Sequence, residues 1–507
     1  MPPLDRRGFL AAASVAAAIG VSGCASTKDH RGTERFVHGV ASGDPGPDRV
    51  VIWTRLDGAT AVEELEWLVA REPQLRHVVR RGRVMADPLH DFCCKVDVGG
   101  LEPGTTYFYA FRVHGEHSVV GRTRTLPQDA VESLRFAVAA CANYQQGSFA
   151  AYARIAELES LDAVLHLGDY IYEYGDQTDG RLPLDPPHEI LTLEDYRRRY
   201  AFYRRDPALQ AAHRVHPFIA VWDDHESANN AWRDGAGNHD PAREGPWRER
   251  RAAAIQVWHE WMPVRDTAAH APIHRSFRFG DLADLVMLDT RLEGREQPAA
   301  SPQDIASNPA RELLGAAQEA WLLGELDASQ ASGTRWRLLG QQVVFAPLGN
   351  FNPDQWDGYP QARQRILQHL GRAGIDNVVF LTGDIHSSWA LDVAPDPYDR
   401  ARYDGQSGHG AQAVEFVTPG IASEPLGHYL ARRDPEAHAR MVEGIKQQPH
   451  LRFADYTNRG FVSLEVNAQR VEASWHFVAA PTDPQSRVAI AHRETVRAGE
   501  NRLSRPV

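Results

Sequence analysis

Five polar clusters each follow an apolar run, and each carries residue types that bind metal ions or phosphate. The densest is Asp223-Asp224-His225-Glu226. Two adjacent carboxylates repel one another, so burying both is costly without a cation beside them. Asn229 and Asn230 follow closely and add hard oxygen donors. A second cluster is Gly168-Asp169-Tyr170-Ile171-Tyr172. A carboxylate three residues before a phenol can set both oxygens on one ion. Tyrosinate suits a hard trivalent cation, because Fe³⁺ holds the phenol deprotonated well below its free pKa of about 10. Taken alone, the segment reads equally well as a turn capped by Asp169, with packed tyrosines. Cys141, near Asn143, is an iron thiolate or a buried small side chain, the common fate of a free cysteine. Asp384 and His386 reach one site if the backbone is extended. Histidine suits iron and aspartate a hard divalent ion; the alternative is a turn aspartate with an unrelated histidine. Arg291, after Asp289-Thr290, can clamp a phosphate through paired hydrogen bonds, or form a surface pair with Asp289 or Glu293.

These clusters need elements that bring them together. Apolar strands are expected at 135–140, 162–167, 215–222, 284–288, 336–345 and 377–381, alternating with helical stretches at 147–159, 247–261 and 310–331. That alternation is an α/β pattern, and in open α/β sheets active sites form outside the carboxyl ends of strands. One polar cluster at a strand end can be a turn or a helix cap. Five, all rich in Asp, His, Cys, Asn or Arg, fit side chains converging on one site. Residues 35–127 differ. A strand at 48–53, a turn at 101–106 and an aromatic strand at 107–113 predict a small all-β domain similar to fibronectin type III and immunoglobulin-like sandwiches. Residues 175–245 and 424–460 read as long insertions able to form a lid.

Composition narrows the function classes. The chain has 507 residues, 43% hydrophobic and 24% charged, which is globular composition with length for more than one domain. A formal net charge of −12 disfavours wholesale binding to nucleic acid or anionic lipid, leaving only a local basic pocket for such contacts. No fixed-period repeat supports a solenoid or propeller. Arg6-Arg7-Gly8-Phe9-Leu10 is a twin-arginine pattern, and the small apolar run to about Val21 is short of the roughly 20 residues that span a bilayer. It reads as a signal-peptide core. Val21-Ser22-Gly23-Cys24 resembles a lipoprotein processing site that leaves Cys24 lipidated; ordinary cleavage nearby is the alternative. Export by the twin-arginine machinery to the periplasm or cell surface, with a lipid anchor at Cys24, is therefore expected. That route carries folded proteins, often with their cofactors loaded. Cys93 and Cys94 are adjacent on an expected strand, so they point to opposite faces and read as packed thiols.

Taken together and in order, Gly-Asp-x-x-Tyr at 168–172, Trp-Asp-Asp-His-Glu at 222–226, Leu-Asp-Thr-Arg at 288–291, Trp-Asp-Gly-Tyr-Pro at 356–360 and Leu-Thr-Gly-Asp-Ile-His at 381–386 resemble the PhoD-like alkaline phosphatase and phosphodiesterase family. The resemblance runs from about residue 35 to about residue 480. It implies a four-layer α/β metallophosphoesterase sandwich at 134–490, related to purple acid phosphatases, behind the fibronectin/Ig-like domain at 35–127 and a signal at 1–24. It further implies Fe³⁺ on Cys141, Asp169, Tyr172 and His386. Asp169 would bridge to a second metal, Ca²⁺, completed by Asp224 and Asp384, with Gln342 or an Asn as a further ligand. In related phosphoesterases an Asn precedes the His-Glu pair. Here Asp224 stands there, which leaves a divalent transition metal open for the second site.

The implied activity is hydrolysis of phosphate mono- and/or diesters at alkaline pH by a metal-bound hydroxide. Asn143 and His225 would orient substrate or assist the leaving group, and Arg291 would neutralise phosphoryl charge. A phospholipase D-like diesterase is the competing enzyme. A cell-surface binding protein on a degenerate scaffold predicts gaps in the ligand set, and the iron set has none. A mononuclear iron oxidoreductase would use two His and one carboxylate, which Cys, Tyr and two carboxylates fit poorly.

Overall fold

The computed structural model describes residues 34–177, 180, 183–266, 272–349 and 352–505. The twin-arginine segment and Cys24 lie outside the described residues. Among those described, no helix is long and apolar enough to cross a membrane.

Two large sheets carry the fold. The first has nine strands in the order Val488–Arg497, Arg470–Val478, Gly460–Asn467, Ser133–Ala139, Ala163–His166, Pro217–Ala220, Val40–Gly43, Arg49–Arg55 and Cys93–Gly99. Its centre is parallel: Ala163–His166 lies between Ser133–Ala139 and Pro217–Ala220, all running the same way. The second has seven strands, of which Ala283–Met287, Trp336–Gly340, Val378–Thr382 and Ala413–Val417 are consecutive and parallel. These strands are buried on both faces, which is why they read as unbroken apolar runs rather than as alternation.

The sheets share a core. Phe136, Val138 and Val164 of the first pack in one cluster with Leu285, Met287, Leu338, Leu381 and Phe416 of the second. Trp475 pins them together. It sits on Arg470–Val478, is fully buried, and donates its Nε1 to the Val417 carbonyl at 3.0 Å. Its ring meets Phe416 at 5.8 Å and Phe453 at 5.1 Å, both on the other sheet. The helices Gly315–Ala331 and Pro360–Ala373 cover a separate core beside the second sheet, through Leu322, Leu326, Ile366 and Leu370.

The N-terminal segment divides. Val40–Gly43, Arg49–Arg55 and Cys93–Gly99 continue the large sheet, joined to it where Val40–Gly43 runs parallel to Pro217–Ala220. Val78–Ala86, Glu63–Ala70, Thr106–Val113, Glu116–His117 and Gly121–Arg124 form a separate antiparallel sheet. Val50 and Ile52 of the first group pack with Leu65, Val69, Tyr109 and Phe111 of the second. Cys93 and Cys94 are free, buried and in different clusters, so their side chains do face opposite ways.

Three expectations are revised. The strand expected at 336–345 ends at Gly340, because side chains then take over the backbone donors: Gln355 accepts from Val344, and Glu415 from Phe345 and Ala346. The stretch 175–245 is largely scaffold, since it holds the helices Leu193–Tyr203 and Pro207–Val215 and the central strand Pro217–Ala220. The helix expected at 310–331 starts only at Gly315.

Replacing Trp475 by Ala should cost about 3–5 kcal/mol, the usual range for deleting a buried aromatic side chain. Denaturant unfolding of the variant measures it; a loss within error of zero would mean that the sheets do not depend on this contact.

Candidate metal centre

The carboxyl ends of both parallel sets meet at one place. Ser133–Ala139 leads into Cys141 and Asn143, Ala163–His166 into Asp169 and Tyr172, and Pro217–Ala220 into residues 223–226. From the second sheet, Ala283–Met287 leads into Arg291, and Val378–Thr382 into Asp384 and His386. Three of these strands turn abruptly. Cys141, Asp169, Asp384 and His386 all adopt left-handed backbone, with φ of 59°, 54°, 64° and 48°. Non-glycine residues held there cost about 1–3 kcal/mol each and cluster at functional sites. Gly168, at φ 105°, permits the closest approach, since a Cβ there would overlap the Asp223 amide nitrogen.

Glu226 ties two of these turns together. It accepts from the backbone amides of Asp169 at 2.9 Å, Tyr170 at 2.6 Å and Asp223 at 2.8 Å. Burial pushes its carboxyl up to about 7, against the pull of those amides.

Ligand atoms gather in three overlapping groups. Those of Cys141, Asp169 and His386 lie within 4.8 Å of one another, as do those of Asp169, Asp224 and His225, and those of Asp223, Asp224 and Asp384. Asp169 belongs to the first two groups. Tyr172 joins the first: its hydroxyl donates to Asp169 Oδ2 at 2.9 Å, lies 2.9 Å from His386 Nε2 and accepts from Ser423 at 2.8 Å. Tyr170 is turned away, its hydroxyl 2.9 Å from His213 in the core, and Tyr174 donates to Asn229.

The electrostatics are those of a site short of positive charge. Burial pushes the Asp169 and Asp223 carboxyls well up, and neighbouring carboxylates add to it. Burial raises Asp384 to about 6 even against Arg291. Burial, reinforced by nearby carboxylates, likewise lifts the Cys141 thiol and the Tyr172 phenol well above their ordinary values. His386 falls to about 4 through burial. At His225, burial works against the charged form, but Glu173, Asp224 and Asp169 outweigh it and raise the imidazole. Asp224 is driven below the usual carboxylate range although burial opposes this, because Arg291 and His225 are close. Its Oδ1 is buried without a hydrogen-bond partner, with Arg291 Nη2 at 3.6 Å, beyond hydrogen-bond reach. An orphaned carboxylate oxygen among crowded carboxylates is what a cation would satisfy, and the donor set of thiol, phenol, imidazole and carboxylate suits one.

Arg291 does not face the cleft. Its guanidinium is fully buried and donates from Nε to Asp223 at 2.5 Å, from Nη1 to Asp354 at 2.7 Å and from Nη2 to Asp384 at 2.6 Å. Three carboxylates accept from the group read from sequence as a phosphate clamp, and a fourth, Asp224 Oδ1, lies 3.6 Å from its Nη2. Asp289, its expected surface partner, instead accepts from the Arg291 and Leu292 amides. Gln342 is also consumed: it accepts from Thr290 at 2.9 Å and donates to the Leu288 carbonyl at 3.0 Å.

A cleft of about 270 Å³ opens onto the site. Asn143, Tyr172, Asp224, His225, Asp384 and His386 line it, together with Asn229, Asn230 and Asn352. His225 Nδ1 is 2.7 Å from Glu173 Oε2, and its ring stacks on Tyr172 at 4.1 Å. Asn143 Oδ1 accepts from the Gln145 amide at 3.1 Å.

Sequence reasoning missed Glu173, Asp354, Gln355, Ser423, Glu424 and Tyr429. Asp354 and Gln355 immediately precede Trp-Asp-Gly-Tyr-Pro, so that motif held the signal; Glu173 follows Tyr172 directly. Ser423 and Tyr429 carried none.

A family model described as PhoD-like phosphatase matches residues 136–475, and one described as PhoD-like phosphatase, N-terminal domain, matches residues 23–127. The chain is 37% identical over 490 residues to alkaline phosphatase D of Bacillus subtilis (strain 168), covering 90% of this chain and 79% of that protein. A solved structure of PhoD superposes with a TM-score of 0.82 at 33% identity, covering 93% of this chain and 92% of that one. The purple acid phosphatase PPD1 from yellow lupin (Lupinus luteus) seeds shares the fold, with a TM-score of 0.55 at 13% identity over 91% of this chain and 74% of that one. With both family descriptions matched in order across a site built of residues able to hold a metal, the chain belongs to the PhoD-like phosphatase family and is a phosphoric ester hydrolase.

Proposed function

We propose that the chain is an exported, metal-dependent phosphoesterase that hydrolyses phosphate mono- and diesters at alkaline pH. The observation that carries this reading is Asp169 shared between two groups of ligand atoms, the second of which is linked through Asp224 to the group that contains Asp384. Cys141, Asp169, Tyr172 and His386 would hold Fe³⁺; Asp169, Asp224 and Asp384 would hold the second ion, Ca²⁺. When bound, such ions activate a water and neutralise phosphoryl charge.

The protein's own groups do the rest. Asn143 keeps its amide NH₂ for a phosphoryl oxygen, since its Oδ1 is already used. His225, held through Nδ1 by Glu173, has Nε2 left to pass a proton to the leaving oxygen. Arg291 is assigned to holding Asp223, Asp354 and Asp384 rather than to the phosphate. For the architecture, we read the two facing sheets and their helices as the four-layer sandwich at 134–490. We read the separate antiparallel sheet, together with the strands at 40–43, 49–55 and 93–99 on which it packs, as the fibronectin/Ig-like unit at 35–127. Twin-arginine export and a lipidated Cys24 rest on the residue pattern at 6–24.

Metal analysis is the direct test. Purified protein should contain iron, with a visible tyrosinate-to-iron band, and a second metal. Asp169→Asn should lose metal and more than about 100-fold in turnover, since even an outer-shell change costs 10–100-fold. Wild-type turnover in that variant would sink the assignment. Arg291→Met should destabilise the protein by about 3–5 kcal/mol, because it strips a buried ion network of its cation. Unfolding midpoints measure this, and no change would contradict the holding role. Side-by-side assays should show turnover of both p-nitrophenyl phosphate and bis-p-nitrophenyl phosphate; inertness toward both would refute the esterase reading.

A further inference from the structure

The cleft is walled in part by side chains that the hydrolytic chemistry leaves unused: Tyr174, Tyr429, Ile385 and Leu426. Leu426 and Tyr429 come from the helix Leu426–Arg433 and, three residues apart, share one of its faces. The segment is stitched to the site. The Leu426 amide donates to the His386 carbonyl at 3.3 Å, and His386 Nδ1 lies 3.1 Å from the Glu424 carbonyl.

Each ring is held by its polar tip. Tyr174 donates to Asn229 at 3.0 Å and meets the His225 ring edge-on at 5.1 Å. Tyr429 accepts from Arg433 Nη1 at 2.9 Å, yet is 39% exposed. Rings fixed in this way offer large contact area at little entropic cost to a ligand. Charge is the second observation. None of the described lining residues is Lys or Arg, and the one lining glutamate, Glu424, is paired with Arg432 at 2.7 Å. Arg433 steadies Tyr429 from outside the lining. This part of the cleft therefore offers aromatic faces and side-chain amides, with no Lys or Arg among its described lining residues for a second anionic group.

We infer that the cleft selects phosphate esters whose alcohol carries a neutral planar ring, aryl or heteroaryl, laid against Tyr429 and Tyr174. This rests on the phosphoesterase reading and adds the class of the alcohol. Stacking of a ring on an aromatic side chain changes affinity by about tenfold.

The test uses the metal-loaded full chain with benzyl phosphate and propyl phosphate, whose alcohols are of similar acidity, so that ring binding rather than leaving-group chemistry is compared. The KM for benzyl phosphate should be about tenfold lower. Tyr429→Ala should remove most of that ratio and Tyr429→Phe, which keeps the ring, should retain it. Equal KM values in the wild type overturn the inference without need of a variant, as does an unchanged ratio in folded Tyr429→Ala. Hydrolysis of neither ester overturns the phosphoesterase reading, and this inference with it. A third arm, uridine 5′-monophosphate, separates the sources of the ring. A lower KM than for benzyl phosphate supports a nucleoside, and a higher one, still below that for propyl phosphate, supports a simple aryl ester.

Discussion

Asp169, Asp223 and Asp224 are buried, and Asp384 mostly so, in overlapping groups of ligand atoms where two parallel sheets end, with Arg291 donating to Asp223 and Asp384. Carboxylates so placed repel, and each loses its hydration. They remain together only because the fold forces them: the strands that deliver them are locked by packing far from the site, and Asp169 and Asp384 are held in left-handed backbone. The orphaned Asp224 Oδ1 and the raised carboxyls express the same imbalance. A metal centre is the arrangement in which this unfavourable polar cluster becomes favourable, and binding free energy of that kind adds to folding stability.

Two side chains make the crowding tolerable without metal. Arg291 spreads one positive charge over three carboxylates through separate nitrogens, a geometry that a lysine point charge cannot match. Glu226 takes three backbone amides from two strand-end turns, which ties the loops bearing Asp169 and Asp223 together. Neither group needs to touch substrate. Glu226 fixes the backbone of Asp169 at the junction of the two ligand groups and Arg291 fixes the neighbouring Asp223 and Asp384, and proximity and orientation depend on both.

The periphery shapes what may approach. The stretch at 424–460 contains the helix Leu426–Arg433, which sets Tyr429 and Leu426 at the cleft. The stretch at 175–245, expected alongside it as a lid, is mostly scaffold and reaches the cleft through Asp224, His225, Asn229 and Asn230. The N-terminal strands extend the catalytic sheet at one edge and carry a second small sheet on that extension.

The α/β class, the strand-end clusters and the candidate ligands were legible in the sequence, because buried parallel strands leave unbroken apolar runs and a polar cluster after such a run stands out. Asp169, Tyr172, Asp384 and His386 were visible for that reason. The roles of Arg291 and Gln342 were not. Whether a guanidinium meets phosphate or carboxylate depends on Asp354, which is 63 residues away and adjacent only in space. Likewise Tyr429 and Ser423 sit in segments without periodicity or motif, and only chain folding brings them beside Tyr174 and Tyr172. Local pattern records burial and turns; pairing between distant side chains is set by how the two sheets pack, and that belongs to the tertiary structure alone.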